Sequence, residues 1–164
     1  MAGLDFLKKL NKEGKLKIVE PSSYISESYL AKSDNCLKSA RVLHKEGLYE
    51  NSVAEAYYSM YNSSLSLLFR CGIKCENHSA AVIILGEVFG MHELKDNLSS
   101  AKEERIDKQY YIADPESAEA TKEAAEKMMK DAEDFVIKLK LFLSRIKTGE
   151  IKNYQKMLED KIKH

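Results

Sequence analysis

The chain has 164 residues, of which 44% are hydrophobic and 32% charged, with two prolines and seven glycines. That size supports one well-buried core and not two, and so few loop formers imply long helices, hence an all-helical single domain. Twenty-six basic residues offset 26 acidic ones, which argues against a dedicated nonspecific nucleic-acid or membrane-surface binder. No apolar run approaches the roughly 18 to 20 residues of a membrane span. The first residues, MAGLDFLKKLNKEGKLK, lack the apolar centre of a secretory signal, so a cytoplasmic location is expected.

In chain order, Leu4 to Asn11 can form a short amphipathic helix with Phe6, Leu7 and Leu10 on one side, ended by Gly14. Residues 1–21 therefore read as a short helix and an arm, with Lys15 to Glu20 as the linker. Pro21, Ser22 and Ser23 open the first long helix, with serine covering exposed amides. It runs to about Gly47, with Tyr24, Tyr29, Leu30, Leu37, Ala40, Val42 and Leu43 available for burial. The connection at Gly47 is short, so the next helix, starting at Leu48 to Glu50, is an antiparallel neighbour.

The stretch from Ala54 to Gly90 is the centre of the chain. Tyr57, Tyr58, Met60, Tyr61, Ser64, Leu65, Leu67 and Leu68 recur at helical spacing. Ala54, Ala56, Ser59, Ser63 and Ser64 beside them allow close approach of neighbouring helices. Arg70 suits the negative helix end, Gly72 stops the helix, and Asn77 caps the next one. Arg70 and His78 are expected to face each other across this turn, near one end of the bundle. At helical spacing the tyrosines read as core before they read as a base-stacking platform.

Cys36, Cys71 and Cys75 are an odd number in a sequence that shows no secretory signal, so a disulfide framework is not expected. Cys71, Cys75 and His78 invite a metal reading, but a closed zinc site needs a fourth ligand, so no metal and no cofactor are expected. Met91 to Ile112 reads as a half-exposed helix carrying Leu94, Leu98, Ala101, Arg105 and Ile106. Arg105, Tyr110 and Tyr111 are candidates for a nucleotide or partner surface. Asp114, Pro115 and Glu116 open a second long helix, with Met128, Ala132, Phe135, Val136, Leu139, Phe142, Leu143 and Ile146 as its buried stripe. It should reach about Lys147, with Thr148 and Gly149 as the break. The organisation expected is an arm at 1–21, an up-and-down antiparallel helical bundle at 22–147 with four to five main helices, and a helix or tail at 148–164. His44 and His92 are expected on solvated faces without partners, and His164 is terminal.

Over about residues 22 to 145 the chain resembles the HEPN-domain proteins, in particular small helical members of archaea and bacteria. The resemblance rests on the Gly47, Leu48, Tyr49 turn, AYYSMYNSSLSLLF, the loop RCGIKCENH, the helix SAAVIILGEVF, the Arg105 to Tyr111 segment and the long last helix. It implies a bundle that pairs as a homodimer, a minimal nucleotidyltransferase partner, and binding of nucleotide or RNA. Active members carry an arginine, four to six residues, then a histidine, for metal-independent endoribonuclease activity. The matching residues here are Arg70 as phosphate clamp and His78 as proton-transfer group, with Asn62 and Tyr61 as orienting neighbours. Seven residues separate Arg70 from His78, and Ala80 stands where the family often has a tyrosine. These departures favour a binding module of weak or degenerate activity over a ribonuclease toxin, with a structural homodimer as the third reading.

Overall fold

The computed structural model describes residues 2–110 and 117–163, and side chains for 2–106 and 121–163. Its helices are α1 (Ala2–Lys12), α2 (Ser23–Lys45), α3 (Tyr49–Arg70), α4 (His78–Glu87), α5 (His92–Tyr110), α6 (Ser117–Arg145) and α7 (Thr148–Lys163). Two short strands, β1 (Lys17–Ile18) and β2 (Ile73–Lys74), pair antiparallel. The expected all-α antiparallel bundle is the observed fold. The start proposed for the last long helix at Asp114, Pro115 and Glu116 lies outside the described residues.

Helix α3 is the buried axis. From Ser59 to Phe69 every residue is buried, so its sequence is apolar or small all round rather than on one stripe. Helices α2, α5 and α6 surround it, and α2 runs antiparallel to α6, as the ion pairs Asp34–Lys140 and Arg41–Glu133 require.

The seam between α2 and α3 is built from serines. Ser33 donates to the Ser59 carbonyl at 2.7 Å and Ser52 to the Ala40 carbonyl at 2.7 Å. The Ser66 hydroxyl donates to the Ser26 carbonyl at 2.8 Å and also meets the Ser26 hydroxyl. Small side chains let the backbones approach, and each hydroxyl then finds an acceptor, worth about 1 kcal/mol apiece. This seam corrects the expected burial of Tyr24 and Val42, which are 80% and 53% exposed. Both stand nine residues from Ser33, half a turn out of phase at 100° per residue. Serines share the inward face of α2 with Leu37 and Ala40.

At the C-terminal end of α3 the chain closes on itself. Ser22 caps α2, accepting from the Ile25 amide at 3.1 Å, and its own amide donates to the Phe69 carbonyl. The segment expected as a linker instead holds β1, and the Val19 amide donates to the Gly72 carbonyl at 2.8 Å. Gly72 has φ +69°, and a β-carbon there would lie 2.3 Å from the Val19 carbonyl oxygen. Helix α7 seals this junction, with Gln155 Nε2 donating to the same Val19 oxygen. Thr148 and Gly149, expected to break the chain, begin α7. The break falls one step earlier, because the Lys147 amide donates to Glu150 Oε2 at 2.7 Å while the Lys147 carbonyl accepts from the first helical amides. Helix α7 buries Ile151 and Leu158 and packs with α1, which buries Leu7 and Leu10.

Candidate functional site

The first turn of α4, the middle of α3 and the C-terminal half of α5 meet at His78. Asn77 holds the start of α4, its Oδ1 accepting from the Ala80 amide at 3.0 Å, and that cap fixes the direction in which His78 leaves the chain. The imidazole stacks on Tyr61, with centroids 3.8 Å apart and planes at 11°. Its Nδ1 lies 2.5 Å from the Tyr57 hydroxyl. Tyr57 is fully buried and Tyr61 nearly so, whereas Tyr58 and His78 reach the surface.

Arg105 completes the group from α5. Its guanidinium stands 4.9 Å from the centre of the Tyr57 ring and 5.5 Å from that of Tyr58, and Nη1 donates to the Tyr58 hydroxyl at 2.8 Å. Its buried Nε has no hydrogen-bond acceptor among the described residues. One turn earlier, Lys102 Nζ donates to Ser79 Oγ at 2.6 Å. Lys102 and Arg105 project here because Leu98 and Ala101 anchor α5 in the core.

Burial first, then Arg105 and Lys102, lower the His78 pKa from 6.5, so the ring is neutral at neutral pH. Burial pushes the Tyr57 hydroxyl up to about 12, so it keeps its proton. The contact fits two neutral tautomers: where Nδ1–H donates to the Tyr57 oxygen, Nε2 presents a lone pair, and where the Tyr57 hydroxyl donates to Nδ1, Nε2 carries an N–H. The set offers a proton acceptor in the first tautomer, and in both a fork of N–H donors suited to phosphate oxygens and an aromatic edge.

The residues singled out from the sequence distribute unevenly. His78 and Tyr61 are in contact, and Arg105, expected on a nucleotide surface, joins them. Arg70 does not face His78. It lines a separate groove with Pro21, Lys152 and Gln155. His78 contacts α3 at Tyr57 and Tyr61, and Arg70 is nine residues beyond Tyr61, about 13 Å along the axis. After a tight turn at Cys71 and Gly72 the loop runs through β2, paired with β1, before α4 begins at His78. Asn62 points to α2, its Nδ2 3.7 Å from Cys36 Sγ. Tyr111 and the side chain of Tyr110 lie outside the described residues. Among the described residues no group of three His, Cys, Asp or Glu side chains could hold a metal ion. Cys71 and Cys75 are buried thiols, and burial raises both pKa values, that of Cys71 to about 12. His44, expected without a partner, packs its ring on Tyr49, with Nε2 3.3 Å from Glu126.

Lys102 and Ser79 were not singled out in advance. The only trace of Lys102 in the sequence is its position three residues before Arg105, on the same face of α5.

The fold is a helical bundle, and the chain matches the HEPN domain family over residues 26–141. The chain belongs to this family. It is 29% identical over 114 residues to "Putative toxin MJ0605" of Methanocaldococcus jannaschii, covering 67% of this chain and 82% of that one. It is 30% identical over 118 residues to a UPF0332 protein of Archaeoglobus fulgidus, covering 70% of this chain and 91% of that one. Among the described residues no helix is long and apolar enough to cross a membrane.

Proposed function

We propose that this chain is a nucleotide- or RNA-binding HEPN module whose site is the junction of His78, Tyr57, Tyr58 and Arg105, with Lys102 at the rim. The observation that carries this reading is the Arg105 guanidinium held over two tyrosine rings beside a neutral imidazole whose charged neighbours are cations. Such a patch attracts phosphate, and its surface rings, Tyr58 and His78, are the ones that can meet a base. Fluorescence anisotropy with a labelled oligoribonucleotide tests it. Arg105→Ala should weaken binding at least about tenfold, the loss of one charge-assisted contact; undiminished affinity would remove the reading.

A second reading, endoribonuclease activity at the same junction, is supported by the neutral state of His78. In that reaction the His78 tautomer with Nδ1–H on the Tyr57 oxygen takes the ribose 2′-hydroxyl proton at Nε2, and the 2′-oxygen bonds to phosphorus. The phosphorus–5′-oxygen bond then breaks, and the proton returns to the leaving oxygen. Arg105 balances the phosphorane charge. Cleavage by the wild type should be lost in both His78→Ala and Arg105→Ala, and cleavage retained in either would remove this reading. Family resemblance supports a homodimer and a nucleotidyltransferase partner as the working assembly. Light scattering of the purified protein tests the homodimer, and a monomer would remove it.

A further inference from the structure

The sequence that precedes the bundle is locally basic in a chain of zero net charge: residues 8 to 17 hold Lys8, Lys9, Lys12, Lys15 and Lys17 against Glu13 alone. The fold places part of that charge beside the site. Lys17 of β1 is the direct cross-strand partner of Lys74 of β2. Both are exposed, and among the described residues neither makes an ion pair. Together with Gly14, Lys15, Glu76 and Asn77 they line an open cavity of about 420 Å³. Asn77 is the residue that caps α4 and precedes His78. Lys74 is four residues before His78, so their Cα atoms are at most about 14 Å apart.

Like charges directly opposite on an antiparallel pair work against pairing. The strand pair nonetheless forms here, on backbone contacts that need no lysine at either position. Glu76, the carboxylate in the lining, is engaged by the Tyr29 hydroxyl at 3.2 Å. A local conflict of this kind, next to a functional site and without a folding purpose, is where a binding role is expected.

We propose that the Lys17–Lys74 clasp holds the phosphodiester backbone of a single RNA strand that continues from the His78–Arg105 junction; Lys15, in the same lining, is engaged by Glu13 at 2.7 Å. The ligand is then a polymer several nucleotides long and not a mononucleotide. This inference rests on the RNA-binding reading above and narrows its substrate class. The two ends of the strand are held differently: the junction offers aromatic rings and a guanidinium, and the clasp offers point charges that track phosphates without reading bases.

The test titrates the full chain and its Lys17→Gln/Lys74→Gln variant with a fluorescent twelve-residue oligouridylate, with uridine monophosphate and with polyglutamate, across a salt series. Removing two phosphate contacts should lower the slope of log affinity against log salt by about 1.4. Oligouridylate affinity should fall while uridine monophosphate affinity stays unchanged. Thermal melts should show the variant at least as stable as the wild type, since a repulsive pair has been removed. An unchanged slope in the variant, with Arg105→Ala still weakening oligouridylate, would overturn the clasp and leave the junction standing. A wild type that binds no RNA would overturn both. Binding of polyglutamate in place of RNA, lost in the double variant, would assign the clasp to an acidic protein and overturn the RNA proposal.

Discussion

His78 carries its low pKa because burial, then Arg105, then Lys102 disfavour its charged form. The unfolded chain therefore takes up that proton more readily than the folded one. The stabilisation is fully present above the unfolded value of 6.5 and is lost as pH falls from there toward the folded pKa. In urea titrations the wild type should lose stability as pH falls below 6.5 more steeply than His78→Gln, and NMR titration of Arg105→Gln should show the His78 pKa moved up. Gly72 sets a second prediction at this scale. Alanine there would adopt φ +69° and drive its β-carbon into the Val19 oxygen and Gln155, whereas alanine at Gly47, φ +75°, meets nothing within 4 Å. Gly72→Ala should cost about 3 kcal/mol or more and Gly47→Ala about 1 to 2 kcal/mol in urea unfolding. The role of Gly72 as a helix stop was legible in the sequence. The backbone it must accommodate was not, because that backbone arrives from fifty residues earlier.

Helix α3 announced itself through its period, and its small residues announced close neighbours. Helix α2 was harder to read because its inward face is Ser26, Ser33, Leu37 and Ala40, a stripe that hydrophobicity alone does not mark. Tyr24 and Val42 looked like core only because they are apolar. Two consequences follow for the seam. Ser33→Ala should cost about 1 kcal/mol, the value of one satisfied hydroxyl. Ser33→Leu should cost about 3 kcal/mol, since the extra volume must separate two helices joined at 2.7 Å contacts. Equilibrium unfolding of the pair distinguishes a packing seam from a merely polar one. The strands β1 and β2 were invisible in advance because two residues have no period.

Across the whole molecule, the bundle was readable from caps and periods, while the site was readable only in part. His78 and Tyr61 follow from local spacing. Arg105 stands beside them only because α5 folds back along α3, a tertiary event that no local pattern records. Terminal helix α7 closes the structure, burying Ile151 and Leu158 and placing Tyr154 against Phe89, ring centres 4.7 Å apart. Removal of residues 148–164 should cost about 4 to 6 kcal/mol and lower the melting temperature by about 10 to 20 °C, measured by circular dichroism. The position of α3 as the buried axis also has a meaning for synthesis on the ribosome. Its partner α6 ends at Arg145, 75 residues after Arg70, so at ordinary elongation rates the nascent α3 waits roughly 4 to 15 s for its cover. During that interval its most apolar surface is open to chaperones, which makes translation speed between these two helices a determinant of the folded yield.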